Sequence, residues 1–183
     1  KAQQFLEHPP AMLQAIASQP PLEQIGRYRL LRLLGEGGFG RVWLGFDEEL
    51  HRQVAIKVPT PERFATPGDA ELYLAEARTV AGLDHPNIVP VYDVGRTADG
   101  SVYVVSKFIE GCHLGELLAQ QQVSFNLAAD LLATVARALH YAHARRLVHR
   151  DVKPANILIE SSTQTPDVAD FGLAIPEEDY LRT

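Results

Sequence analysis

From Tyr28 to Phe108 the chain is a series of short apolar runs broken by glycine and aspartate. YRLLRLL (28–34), RVWLGFD (41–47) and RQVAIKV (52–58) have the length and the alternating or β-branched character of strands. Two further runs, IVPVYDVG (88–95) and SVYVVSKF (101–108), are joined by RTADG, whose Asp-Gly pair signals a turn. Between them and the first three lies DAELYLAEARTVAG (69–82), rich in helix formers, with Asp69 as the expected N-cap and Gly82 at the end. After Gly111 the period changes. HLGELLAQ (113–120) predicts a short helix, and residues 126–146 a long one with Leu127, Leu131, Val135, Ala138 and Leu139 on one face. The strand ILIE (157–160), the polar turn SSTQTP and the segment VADFGLA close the pattern as a short hairpin. The expected fold is α+β: a five-stranded antiparallel sheet with one helix, then the beginning of a mainly helical region. That layout gives two lobes and a seam.

Residues 1–26 differ in kind. Two Pro-Pro pairs, Pro9–Pro10 and Pro20–Pro21, flank a short apolar patch. They predict a linker or N-terminal extension.

Composition narrows the classes. With 183 residues and 46% of them hydrophobic, the chain can bury a real core. A formal net charge of −6 argues against a general nucleic-acid binder. The single cysteine, Cys112, excludes an internal disulfide framework and fits a reducing compartment. No apolar run reaches the roughly 18 residues of a membrane span, and no signal peptide opens the chain. The first residue is Lys1, so a piece of a longer protein is expected, with any membrane anchor or sensory domain outside it. Of 17 basic residues only Lys1, Lys57, Lys107 and Lys153 are lysine. A lysine that persists in so arginine-rich a chain is a candidate for a role that needs a compact ammonium.

Four stretches carry the candidate chemistry. GEGGFGRV (35–42) spaces Gly35, Gly37 and Gly40 as G-x-G-x-x-G. A dinucleotide fold would require a helix next, but Val42-Trp43-Leu44 continues as a strand. A glycine hairpin between strands can instead lay backbone N–H groups over phosphates. Lys57 is a lone ammonium in the apolar strand VAIK and needs an anion; Glu76, on the predicted helix, offers one. HRDVKPANIL (149–158) cannot be helical through Pro154, and Lys153 before it is pushed toward extended geometry. It therefore presents Asp151, Lys153 and Asn156 from a tight loop between apolar segments. Asp170 in DFG follows a strand end, and with Asp151 and Asn156 it supplies oxygen groups suited to a Mg²⁺–phosphate site. Each feature alone has a structural reading: an ordinary hairpin, a snorkelling lysine, a solvated helix acid, a turn aspartate.

The order of the four resembles the catalytic domain of eukaryotic-type (Hanks-type) protein Ser/Thr kinases of the bacterial kind, across about residues 28–183. GEGGFGRV, VAIK and DFG match that family's motifs, and HRDVKPAN differs only by Val152 in place of Leu. The family's A-P-E motif is absent, so the resemblance is truncated within the activation segment. It implies a kinase N-lobe over 27–106, a hinge over 107–111 and a partial C-lobe over 112–183.

The resemblance also implies the roles. The cofactors are ATP and Mg²⁺, with Mn²⁺ as an alternative metal, and the acceptors are Ser/Thr hydroxyls of proteins in a signalling role. Asp151 would accept the hydroxyl proton, and Asn156 and Asp170 would hold the metal. Lys57, fixed by Glu76, would bind the α/β-phosphates, and Lys153 the γ-phosphate; a lysine here points to Ser/Thr rather than Tyr. Leu34, Gly35, Glu36, Gly37, Gly38, Phe39 and Gly40 would form the lip over the nucleotide. Val42 and Ala55 would lie above adenine and Leu158 below it. Lys107 and Ile109 would bond the adenine edge through backbone alone, with Ser106 as a small gatekeeper before a back pocket. Val80, Val91, His149 and Phe171 would stack as an internal spine. Arg150 would pair with a phosphate on the activation segment, which includes Tyr180 and Thr183. No nucleic-acid partner is expected. The location is cytoplasmic, as a free protein or as the cytoplasmic domain of a membrane-anchored one. The rival reading is a nucleotide-binding pseudokinase or scaffold, or an inactive kinase fragment. A fragment would expose apolar faces of 126–146 and bind nucleotide poorly.

Overall fold

The computed structural model describes residues 24–38, 40–64 and 67–171. The five expected strands form one antiparallel sheet, joined by a sixth. They are β1 Gln24–Ile25, β2 Tyr28–Gly37, β3 Gly40–Asp47, β4 Arg52–Val58, β5 Val91–Arg96 and β6 Val102–Lys107. Their spatial order is β1-β2-β3-β4-β6-β5. The extra strand corrects the expected linker boundary. Gly26, at φ 58, reverses the chain so that Gln24 and Ile25 pair with Arg29 and Tyr28. The rest of the expected linker, residues 1–23, lies outside the described residues.

Tyr28, Leu30, Val54, Ile56, Tyr103 and Val105 fill one face of this sheet. Tyr28 and Tyr103 meet edge-to-face at 6.3 Å, and the Tyr28 hydroxyl donates to Asp93 at 2.7 Å, which keeps a buried phenol satisfied. Helix α1, Pro67–Ala81, packs on β5 and β6 through Ala70, Tyr73 and Leu74. It begins two residues earlier than expected, so Asp69 sits in the first turn rather than at the N-cap. There its charge still favours the positive end of the helix dipole.

Below lie a second sheet and two helices. β7 (Gly111–His113), β8 (Ile157–Glu160) and β9 (Pro166–Val168) pair in the order β7-β8-β9. Helix α2, Leu114–Gln120, is started by a reciprocal capping box between His113 and Glu116. Helix α3, Phe125–His143, is capped by Ser124 and ends three residues short of the expected 146. Its last expected turn is broken by Arg146 at φ 61.

The inner face of α3 (Leu131, Val135, Ala138, Ala142) joins one apolar cluster with Ile157, Ile159, Val168 and Phe171. The same cluster takes in Val80, Leu83 and Ile88 from the α1 end, so a continuous core crosses the seam. Leu127, expected on that face, lies in the first turn of α3 and is 40% exposed.

Candidate active site

The loop 149–158 takes its shape from Pro154. Lys153 is extended (φ −151, ψ 161), as a residue before proline should be, and Pro154–Asn156 make one 3-10 turn. That turn buries Asn156, whose amide nitrogen donates to the Asp151 carbonyl at 2.8 Å and to its carboxylate at 3.0 Å. With the nitrogen so used, the amide oxygen is the atom left for a cation. Lys153 Nζ donates to the same Asp151 Oδ2 at 2.7 Å. The Lys153 hydrogen bond, helped by Asn156 and opposed by burial, holds the Asp151 carboxyl below its ordinary range.

His149 anchors the loop from beneath. It is 1% exposed and its Nε2 lies 2.8 Å from the Ala169 carbonyl, which can only accept. Nε2 therefore carries the proton, and Nδ1 is free to accept from the Asp151 N–H at 3.3 Å. Burial depresses its pKa, so the ring stays neutral. It stacks at 4.5 Å on Phe171, which shares the seam cluster with Val80 and, packed against it, Val91. The four residues expected as a spine are thus brought together. Ala169 N donates to the Asn156 carbonyl at 2.9 Å, so the loop and the strand leading to Asp170 are tied directly.

Asp170 adopts a left-handed conformation, φ 62, and its Oδ1 stands 2.5 Å from Lys57 Nζ. The anion that answers the lone ammonium of β4 is therefore Asp170, where the sequence suggested Glu76. Glu76 is buried on α1 and faces the same cleft. Oxygen donors at Asn156 and Asp170 fit Mg²⁺, which takes one or two such groups and completes its shell with phosphate and water. Among the described residues no group of three or more His, Cys, Asp or Glu is gathered as a metal cluster.

A cleft of about 540 Å³ lies between the two sheets. Of the expected residues, Leu34, Gly35, Val42, Ala55, Lys57, Glu76, Ser106, Lys107, Ile109, Asn156, Leu158 and Asp170 line it. Asp151 and Lys153 are not among the lining residues; Asp151 is joined to the cleft by its hydrogen bonds from Asn156. Glu36, Gly37, Gly38 and Gly40 stand off from it at the hairpin tip, where Glu36 pairs with Arg41 at 2.8 Å; Phe39 lies outside the described residues. Gly40 has a different necessity. At φ 125, a Cβ there would sit 2.2 Å from the Val58 carbonyl oxygen.

The structure adds residues that sequence reasoning missed. Tyr73, Ala77, Val89 and Val104 line the same cleft as Ser106. Cys112, His113 and Glu116 line it as well; the spacing His-x-x-Glu was the available signal, a capping box. Lys107, expected to act by backbone alone, also reaches Glu160 with its side chain at 3.5 Å.

These features meet known proteins at many points. The protein kinase domain family matches residues 28–179, and the chain belongs to that family. It is 44% identical over 154 residues to the serine/threonine-protein kinase PknA of Mycobacterium tuberculosis, covering 81% of this chain and 36% of PknA. It is 39% identical over 153 residues to the serine/threonine-protein kinase PrkC of Bacillus subtilis, covering 81% and 23%. The crystal structure of the M. tuberculosis PknI kinase domain superposes with a TM-score of 0.75 at 30% identity, over 86% of this chain and 62% of that one. The chain thus spans little more than a third of PknA and about a quarter of PrkC. Use of ATP and a divalent metal is general to the family. No helix among the described residues is long and apolar enough to cross a membrane.

Proposed function

We propose that the protein carrying this chain is a serine/threonine kinase that moves the γ-phosphate of ATP to Ser/Thr hydroxyls of proteins. The observation that carries this reading is the Asp151 carboxylate, held ionised between the Asn156 amide and the Lys153 ammonium. An acceptor hydroxyl that approaches Asp151 gives up its proton to that carboxylate as its oxygen bonds to the γ-phosphorus, while the bond from that phosphorus to the β,γ-bridging oxygen breaks and ADP leaves with the electron pair. Lys153 lies beside the same carboxylate, where its ammonium can also meet the charge growing on the transferred group. Lys57 offers a second ammonium inside the cleft for the inner phosphates.

Mg²⁺ bound through the Asn156 amide oxygen and the Asp170 carboxylate would neutralise phosphate oxygens. Asp170 spends only Oδ1 on Lys57, which leaves Oδ2 for that task. Adenine fits between Val42 and Ala55 above and Leu158 below, with residues 107–111 as the hinge between lobes 27–106 and 112–183. The choice of Ser/Thr over Tyr is supported by Lys153 and by the names of the relatives. Use of ATP and the free thiol of Cys112 agree with a cytoplasmic setting. The test is transfer of labelled γ-phosphate to a generic protein substrate with identification of the phosphorylated residue; phosphotyrosine alone would overturn the assignment.

A further inference from the structure

The proposed chemistry uses Lys107 through its backbone and leaves its side chain without a role. It ends β6, where the chain leaves the upper sheet, and its Nζ lies 3.5 Å from Glu160 Oε1 at the end of β8. Glu160 is prepared for this contact. Its Oε2 accepts from the Thr163 hydroxyl at 2.8 Å, and Thr163 first, then Lys107, hold its carboxyl below the ordinary range.

The backbone on either side is fixed. Lys107 N donates to the Pro90 carbonyl at 3.0 Å, which ties the near end of the segment 107–111 to the upper sheet. At the far end Gly111 pairs with Glu160, and Ser161 N donates to the Glu110 carbonyl at 2.8 Å. Gly111 lies so close to β8 that a Cβ would fall 1.9 Å from the Ile159 carbonyl oxygen. The far end of the segment is thus riveted to the lower sheet by backbone. The near end reaches that sheet through a side chain, Lys107 to Glu160. Asp167 on β9, opposite Leu158, lies in the field of both groups.

We infer that Lys107 and Glu160 form a strap behind the cleft that sets the height of segment 107–111 over Leu158 and so tunes nucleotide affinity. Both are positioning residues. The inference rests on the proposed ATP site and concerns its regulation by the spacing of the two lobes. Lys107 and Glu160 are partly exposed, so the strap is a modest one, screened by salt.

The test uses the whole protein that carries this chain. Affinity for a fluorescent ATP analogue and the KM and kcat of transfer are measured for wild type, Glu160→Gln, Lys107→Glu and the swap Lys107→Glu/Glu160→Lys. Backbone hydrogen exchange over 107–111 is followed in parallel without nucleotide. The expected result is about two- to five-fold weaker binding in each single variant, expressed in KM with kcat held. The swap should restore most of that loss, and exchange over 107–111 should quicken in the singles alone. Unchanged exchange in Glu160→Gln, or a swap as impaired as both singles together, would overturn the strap. Absence of nucleotide binding in wild type would instead overturn the ATP site, while exchange would still decide the strap.

Discussion

Asn156 donates its side-chain amide to both the backbone carbonyl and the carboxylate of Asp151, at 2.8 and 3.0 Å. An aspartate at 156 would set carboxylate against carboxylate, and an apolar residue would leave two acceptors unmatched. The pair therefore couples the proposed base to the proposed metal holder, so that neither can shift without the other.

Asn156→Ala should consequently damage two things at once. Loss of a hydrogen bond to a charged group costs about 1.5–3 kcal/mol, and the Mg²⁺ concentration for half-maximal transfer should rise at least about tenfold. A Mg²⁺ titration of phosphoryl transfer reads the second effect. An unchanged midpoint would remove Asn156 from the metal site.

Lys153 controls when Asp151 is ionised. Its hydrogen bond is the largest influence holding that carboxyl down. Without it the Asp151 pKa rises toward the ordinary carboxylate value, so Lys153→Ala should move the acid limb of the kcat/KM profile to higher pH. Lys153→Arg, which keeps the charge, should leave the limb closer to wild type. A limb that stays in place in the alanine variant would show that Lys153 does not set the base.

Asp167 gives a pH dependence of stability. It is 6% exposed on β9, and burial pushes its carboxyl up to about 6, with Lys107 pulling down and Glu160 pushing up. Because the folded value lies above the unfolded one, this group's contribution is full below about pH 4 and is lost as pH rises through 6. Asp167→Asn should therefore match wild type in acid and exceed it at pH 7–8 by on the order of 2 kcal/mol. Denaturant melts at several pH values check the crossing.

The turn between β2 and β3 separates glycines that need to be glycine from those that do not. Gly40→Ala places a Cβ against the Val58 carbonyl at a φ of 125, and should destabilise by at least about 2 kcal/mol. Gly38→Ala meets nothing within 4 Å and should alter the melting temperature little. Equal melting temperatures would mean that the hairpin repacks around Gly40.

Much of this architecture was legible because local rules and tertiary contacts agree. Pro154 fixes the loop that carries Asp151 and Asn156, and the strand period of 52–58 places Lys57 among apolar neighbours. The partner of Lys57 was not legible. A lone ammonium announces that it needs an anion, and Glu76 was the one the sequence suggested; the fold instead brings Asp170, 113 positions away, to Lys57. Likewise the Lys107–Glu160 contact joins residues 53 positions apart through the pairing of β7 with β8, which no local pattern encodes. The early end of α3 depends on Arg146 taking a positive φ, and Gln24–Ile25 on the reversal at Gly26. In both places a single dihedral overrules a helix-forming or linker-like composition.

Asp151 is proposed as the base of a phosphoryl transfer, and Asp151→Asn removes that base while keeping the shape of the side chain. Transfer of γ-phosphate to a Ser/Thr protein substrate would be measured for the whole protein and for this variant, beside nucleotide affinity for each. The expected outcome is transfer by wild type that falls by about 10²–10⁴-fold in the variant, with nucleotide still bound by both. Comparable transfer by the two proteins, or nucleotide binding by both with transfer by neither, would contradict it.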